Sequence, residues 1–239
     1  MAAKRMKLLL KNYLEAKKEG AKEGFDIQLV DPDDLEHYYI LLKPNTGIYR
    51  DQYHILEMRT SYGSNIKYEY PIKAPSIKFL THIYHVNIST GGSICLDILK
   101  EENKWMPSYS FTQVMFNLML LYQHPNNSSP FNGSASRDHV KCGKDFKQRK
   151  SRGMTVEEET SLEEECFSSF KAASDKYADK NSGALKKFAK WFPQLVGKER
   201  PSEELAELEA MYESVCVKKT KAKKEKKPKK ARWARHKKT

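Results

Sequence analysis

Between Phe25 and Leu80 four short runs of β-branched and aromatic residues follow one another: Phe25 to Val30, Tyr38 to Leu42, Tyr53 to Met58 and Ser76 to Leu80. The breaks between them are Asp-Pro-Asp-Asp at 31–34, Lys-Pro-Asn-Thr-Gly at 43–47 and a Ser/Gly/Asn stretch from Ser61, all residue types that supply turns. Four such strands in succession predict an antiparallel meander. Ahead of it Met6, Leu9, Leu10, Tyr13 and Leu14 recur at helical spacing, with Lys4, Arg5, Lys7 and Lys11 beside them and Gly20 and Gly24 ending the pattern. After Pro107, Phe111, Val114, Met115, Leu118, Met119 and Tyr122 recur at i, i+3 and i+4, which predicts a buried central helix. One helix, four strands and then helices make an α+β domain.

Three further helices are expected. One runs from about Ala135 to Lys150, and a second starts at Thr155, where Thr155 and Glu158 form a capping box and Leu162, Cys166, Phe167 and Phe170 share one face. The third starts at Pro201-Ser202-Glu203-Glu204 and carries Leu205, Leu208, Met211, Tyr212 and Val215 at helical spacing. The helices from 155 to 217 expose a single apolar stripe each, so packing back onto the core is expected rather than a separate domain.

Composition sets the outer limits. With 239 residues, 39% hydrophobic and 11% aromatic, the chain can bury one sizeable core. Its formal net charge of +12 is all local: from Val217 to Thr239 stand eleven Lys, two Arg and one Glu, and the rest of the chain is neutral. That segment has almost nothing apolar to fold around and is expected to be a disordered basic tail. The longest uncharged apolar stretch, Phe116 to Tyr122, is far shorter than the roughly 20 residues of a membrane-spanning helix. The N-terminus is interrupted by charge every few residues and does not read as a signal peptide, so the nucleus and/or cytoplasm is the expected location. Cysteines at 95, 142, 166 and 216 form no C-x-x-C pair, which predicts reduced thiols and no metal site.

The stretch from Tyr70 to Pro130 is the most specific. It reads Tyr70-Pro71-x-x-x-Pro75, Tyr84-His85-Val86-Asn87, Gly92-Ser93-Ile94-Cys95-Leu96-Asp97-Ile98-Leu99, Trp105-x-Pro107 and His124-Pro125-Asn126-Asn127-Ser128-Ser129-Pro130. In order and spacing these five motifs resemble those of a ubiquitin-conjugating enzyme, including the cysteine eight residues beyond an Asn. The resemblance covers about residues 1–150 and implies a ubiquitin-conjugating catalytic domain there. A helical C-terminal extension at 151–217 and the basic tail at 218–239 would follow.

The resemblance implies an acyltransferase. Ubiquitin or a ubiquitin-like protein would pass from an activating enzyme to Cys95 as a thioester, then to a lysine, with a RING-type ligase assisting. A cysteine suits this chemistry because its thiolate attacks a thioester and leaves the product activated toward amines. Asn87 would donate to the oxyanion formed as the amine attacks, or merely brace its own loop. Ser129 would help to position the incoming lysine. His85, with Tyr84 and Asp97, would hold the loops in place. Ile72, Met106, Pro107 and Ser108 would form the ligase-binding surface, and Lys4, Arg5 and Lys7 would meet the activating enzyme. Neither a metal nor a cofactor is implied. For Cys142, Cys166 and Cys216 the expectation is a small buried hydrophobe.

The chain also departs from the family pattern. Val86 stands where the family has Pro, Ala74 replaces the first of two prolines, and the Gly-Gly expected after Tyr49 is missing at Arg50-Asp51-Gln52, so that hairpin must turn differently. The long acidic insertion of the chain-building subfamily between Cys95 and Trp105 is absent. Two other readings compete: a non-catalytic ubiquitin-binding adaptor of the same fold, which would characteristically lack the cysteine, and a nucleic-acid-associated protein acting through the tail. The tail also contains Lys-Lys-Pro-Lys-Lys-Ala-Arg at 226–232, the composition of a nuclear import signal. A weak polyanion contact is expected of it, and no membrane partner.

Overall fold

A computed structural model describes residues 2–61 and 69–197, together with Ala206, Glu207 and Ala210, which are helical. Met1–Arg200 forms one compact unit and Pro201–Thr239 another. Apart from those three positions, the helix expected from Pro201, Cys216 and the basic tail lie outside the described residues.

Helix α1 (Ala2–Glu23) leads into a four-stranded antiparallel sheet of β1 (Phe25–Leu29), β2 (His37–Leu42), β3 (His54–Arg59) and β4 (Ser76–Phe79), in the spatial order β1-β2-β3-β4. The helix passes through Gly20, expected to help end it, and stops at Gly24 (φ 82°). At Gly20 a Cβ would lie 2.8 Å from the Phe25 ring, so the missing side chain lets the first strand fold back against the helix. The register pairs Ile27 with Ile40, Ile40 with Leu56 and Leu56 with Phe79. Between β2 and β3, Asp51 takes a left-handed φ of 68°, a conformation glycine would adopt at less cost.

The pleat sends alternate residues to opposite faces. Tyr38, Ile40 and Leu42 of β2, with His54, Leu56 and Met58 of β3, are fully buried on the inner face. Helix α3 (Phe111–Gln123) packs there, its Phe111 ring 5.2 Å from Tyr38 and its Tyr122 ring 6.1 Å from His54. Ser110 and Gln113 cap α3 reciprocally. Between β4 and α3 runs an irregular stretch containing only the short helix α2 (Asp97–Lys100). The fold is thus α+β, with an N-terminal helix, an antiparallel meander, a buried central helix and further helices after it.

Those further helices are α4 (Gly133–Arg149), α5 (Val156–Cys166), α6 (Ser168–Asp179) and α7 (Ser182–Lys186). Thr155 and Glu158 do form a capping box. The single helix expected from Thr155 is broken at Phe167, which lets Phe167 and Phe170 both reach the His139 ring of α4, at 5.2 and 5.6 Å. Residues 185–195 then cross the outer face of the sheet. Phe192 is fully buried against Leu41 and Ile55, while Tyr39, Tyr53, Leu185, Phe188, Trp191 and Leu195 complete a second apolar cluster. The Trp191 indole N–H donates to the Val30 carbonyl at 3.3 Å, and Asn181 pins the start of this segment by bonding both the N–H and the carbonyl of His82.

Candidate active site

The loop that carries Cys95 is fixed from two directions. Gly92 (φ 86°) lies so close to β4 that a Cβ would meet the Phe79 carbonyl oxygen at 2.1 Å, and the Phe79 N–H donates to the Gly92 carbonyl at 2.9 Å. Only glycine fits both the conformation and the approach. On the other side the Cys95 N–H donates to the Asn87 carbonyl at 2.7 Å, and Ile88 bridges to Ile94. Cys95 is consequently 9% exposed, on a backbone with little freedom.

Beneath this loop lies a frame built by His85, Val86 and Asn87, each fully buried. The His85 Nδ1 accepts the Asn87 N–H at 2.9 Å, and its Nε2 donates to the Leu121 carbonyl at the end of α3, 3.1 Å away. Acceptance at Nδ1 requires a neutral ring. Burial pushes its pKa down to about 3, outweighing the Leu121 carbonyl, which favours the cation. His85 therefore braces the loop and does not act as a base near neutral pH. The Val86 carbonyl accepts from the Phe131 and Asn132 N–H groups at 2.8 and 3.0 Å, so the loss of the family's Pro at this position leaves the link to the 125–132 loop in place.

Asn87 spans the two loops. Its Nδ2 donates to the Asn126 carbonyl at 2.7 Å and to the Ser129 carbonyl at 3.2 Å, and its Oδ1 accepts the Asn126 N–H at 2.8 Å. Every polar atom of this side chain is occupied. Of the two roles expected, bracing accounts for all of its contacts, and no amide hydrogen is left to meet an oxyanion unless the loop shifts.

Because of that brace, Ser129 stands over the Cys95 thiol, its Oγ 3.5 Å from the Sγ. On another side of Sγ is the Lys100 Nζ, at 3.4 Å. Lys100 lies outside the expected site residues; the single turn of α2, too short to show as a periodic pattern, brings it round to the thiol. Phe131, whose ring lies 3.6 Å from the same Nζ, was missed as well.

The remaining expected residues are spread around this centre. The Tyr84 hydroxyl donates to Asp138 of α4 at 2.6 Å, and its ring packs 5.3 Å from Phe170, tying the His85–Asn87 frame to the later helices. Asp97 is exposed at the start of α2 and pairs with Lys104 at 2.7 Å, closing the segment after the cysteine. Ile72 and Met106 are 59% and 50% exposed, and Pro107 and Ser108 are exposed beside them. The Trp105 indole joins their two loops by donating to the Pro71 carbonyl at 2.8 Å. A cleft of about 640 Å³, lined by Ile72, Ile98, Leu99, Lys100 and Trp105, runs from Ile72 to Lys100.

One expected residue is elsewhere. Lys4 and Lys7 are exposed on the first turns of α1, but Arg5 turns inward, its side chain only 14% exposed. It donates to the Tyr70 and Thr60 carbonyls at 2.9 and 3.1 Å and pairs with Glu36 and Glu69. Burial of the Glu36 carboxyl favours its neutral form, but bonds from Arg5 and Ser61 outweigh this and hold its pKa below the ordinary value. Arg5 is therefore held as a structural cation and, unlike Lys4 and Lys7, offers little of its charge on the surface of α1. Cys142 and Cys166 are buried on α4 and α5, their sulfurs facing the Ser169 hydroxyl at 3.8 Å and the Arg149 guanidinium at 3.7 Å. Among the described residues no cluster of His, Cys, Asp or Glu could hold a metal ion.

A helix, a four-stranded meander and a buried cysteine on a loop braced by an Asn eight residues earlier are what the fold brings together. The family model for ubiquitin-conjugating enzymes matches residues 9–154, and the chain belongs to that family. It is 35% identical over 106 residues to the Nedd8-conjugating enzyme UbcE2M of Drosophila melanogaster, a match that takes in 44% of this chain and 54% of that protein. The chain thus spans about half the length of this curated relative. Among solved structures, the E2 domain of a Toxoplasma gondii ubiquitin conjugating enzyme is similar at 25% identity and a TM-score of 0.46, over 55% of this chain and 84% of that one.

Proposed function

We propose that the protein carries a ubiquitin-like modifier as a thioester on Cys95 and passes it to a lysine amine. The observation that supports this most directly is the Cys95 thiol itself, 3.5 Å from the Ser129 hydroxyl on a second loop to which the buried Asn87 ties it. In loading, the Cys95 thiolate attacks the modifier's thioester on the activating enzyme and displaces that enzyme's cysteine. In transfer, an acceptor amine attacks the same carbonyl carbon, the C–S bond breaks and Cys95 leaves as thiolate. Ser129, exposed at the edge of the thiol, is suited to orient the approaching amine, while Asn87 keeps its loop at the right height. The exposed Ile72, Met106, Pro107 and Ser108 form the surface for a RING-type ligase, and Lys4 and Lys7 meet the activating enzyme. An adaptor reading would leave the thiol and its braced loop without a role.

The test is a mixture of the protein, ATP and an activating enzyme with its modifier, run in parallel with ubiquitin and with Nedd8, the modifier named for the Drosophila relative. A band heavier by one modifier that disappears on thiol reduction is expected with at least one of the two. Cys95→Ser should give an ester that survives the reductant, whereas Cys142→Ser should load as the parent does. A reducible adduct persisting in Cys95→Ala would remove the assignment.

A further inference from the structure

Residues 80–85, which lead from β4 into the His85–Asn87 frame, form neither helix nor strand, so their backbone groups must find partners elsewhere. The Leu80 N–H donates to the Ile55 carbonyl at 2.8 Å, and the Thr81 hydroxyl accepts the Ile55 N–H at 3.0 Å. Further on, the Tyr84 carbonyl accepts the Tyr49 hydroxyl at 2.9 Å. Between these, one side chain takes both backbone groups of His82: the Asn181 Oδ1 accepts the N–H at 2.8 Å, and its Nδ2 donates to the carbonyl at 2.7 Å. Asn181 is 1% exposed and is itself fixed on both sides, its N–H donating to the Ala178 carbonyl and its carbonyl accepting the Leu185 N–H, both at 2.8 Å. It stands at the N-cap of α7, a position Asn favours because its side chain can cap the helix. Here the side chain makes no capping bond and is turned to His82 instead.

We propose that Asn181 is a positioning residue for the transfer step, acting through His82 on the frame three residues further on. The inference rests on the thioester reading above. The Cys95 loop has an anchor of its own, the bond and close contact between Gly92 and Phe79 of β4. Ser129 reaches its place through the frame: the Asn87 side chain holds its carbonyl, and His85 in turn holds the Asn87 N–H. A shift at residue 82 therefore passes to Ser129 more than to the thiol. Loading needs a thiol that can be reached, whereas transfer needs an amine aimed at the carbonyl carbon. Misplacing reacting groups by about 1 Å costs on the order of a hundredfold. A displacement that starts three residues from the frame is damped on the way, and a loss of about tenfold is expected. Asn181 lies beyond residue 154, where the family match ends, so the later helices hold part of the geometry on which transfer depends.

The experiment loads the full-length protein, removes ATP and follows discharge of the thioester to free lysine in a single turnover at 10 °C. Asn181→Ala should load within about twofold of the parent rate and discharge about tenfold more slowly. Asn181→Asp keeps the acceptor for the His82 N–H but sets an oxygen against the His82 carbonyl, and should discharge at least as slowly. In both variants the Asn126 amide, which donates to the Asn87 Oδ1, should lose hydrogen-exchange protection. Phe192→Ala removes more buried apolar surface yet leaves the link to His82 in place, so it should keep the parental discharge rate and the Asn126 protection. Parental discharge in both Asn181 variants, a fall in loading as large as the fall in discharge, or an equal slowing in Phe192→Ala would overturn the proposal. Absence of a reducible adduct in the parent with both modifiers would instead overturn the thioester reading, and this inference with it.

Discussion

Replacing Asn87 by Ala separates bracing from direct participation. The substitution leaves the backbone bonds to His85 and Cys95 in place and removes three side-chain bonds, at 2.7, 2.8 and 3.2 Å. Each is worth about 1 kcal/mol net, and more where a buried partner is left unsatisfied, so the loss is about 3 kcal/mol. If it is felt globally, the thermal midpoint should fall by roughly 6–12 °C at about 2–4 °C per kcal/mol for a chain of this size. If it stays local, the Asn126 amide, which donates to the Asn87 Oδ1, should lose about a hundredfold of its hydrogen-exchange protection. The Phe131 and Asn132 amides, bonded to the Val86 carbonyl, should keep most of theirs. With Ser129 released from its place over the thiol, transfer to free lysine should fall more than loading does. Hydrogen exchange by mass spectrometry and a single-turnover discharge assay would check both. If the midpoint and the Asn126 protection stayed at parental values while transfer collapsed, the bracing argument would be refuted and Asn87 would have to act on the reacting atoms.

Acid should unfold the protein through its buried histidines: burial holds His54 and His85 neutral, with pKa values of about 3. Below pH 6.5 the unfolded chain takes up protons that the folded one cannot, so stability falls with pH by up to about 1.4 kcal/mol per unit for each histidine, down to about pH 3. Urea midpoints equal at pH 6.5 and pH 5 would contradict this. Glu36 acts in the same direction, its lowered pKa contributing stability that is lost as pH falls below 4.5. Arg5→Met should cost about 3 kcal/mol in urea unfolding, because it strands the buried Glu69 and two carbonyls, whereas Lys4→Ala and Lys7→Ala should each cost under about 0.5 kcal/mol. Phe192→Ala should lower stability by about 3–5 kcal/mol while leaving the loading of Cys95 at 10 °C as it was.

The residues that could be read from sequence were those whose neighbours are close along the chain or whose spacing is periodic. The four strands lie within a residue or two of the expected runs, since alternating burial and turn residues are local signals. The resemblance carried by Tyr70-Pro71, Asn87, Cys95, Trp105 and Ser129 put Ser129 on the path of an incoming lysine, and the fold sets its hydroxyl beside the Cys95 thiol. What escaped depended on distant partners. Arg5 looked like one more surface cation of an amphipathic helix, because Glu36, Thr60, Glu69 and Tyr70, which draw it inward, are distant in sequence. Lys100 was hidden by a four-residue helix too short to leave a periodic trace. The bracing side of the dual reading of Asn87 shows only in the backbone groups it reaches, and these carry no sequence signature. Asp51 in the left-handed region marks how the hairpin turns without the Gly-Gly.

The strap formed by residues 185–195 bears on where the chain can be shortened. A protein cut to the residues that match the family, ending near 154, would uncover Tyr39, Leu41, Tyr53 and Ile55 together on the outside of the sheet. Such a flat aromatic and aliphatic surface invites self-association and poor solubility. Workers seeking a minimal soluble form should therefore end it after Val196 rather than after α4. Alternatively, they could replace Leu41 and Ile55 with polar β-formers such as Thr.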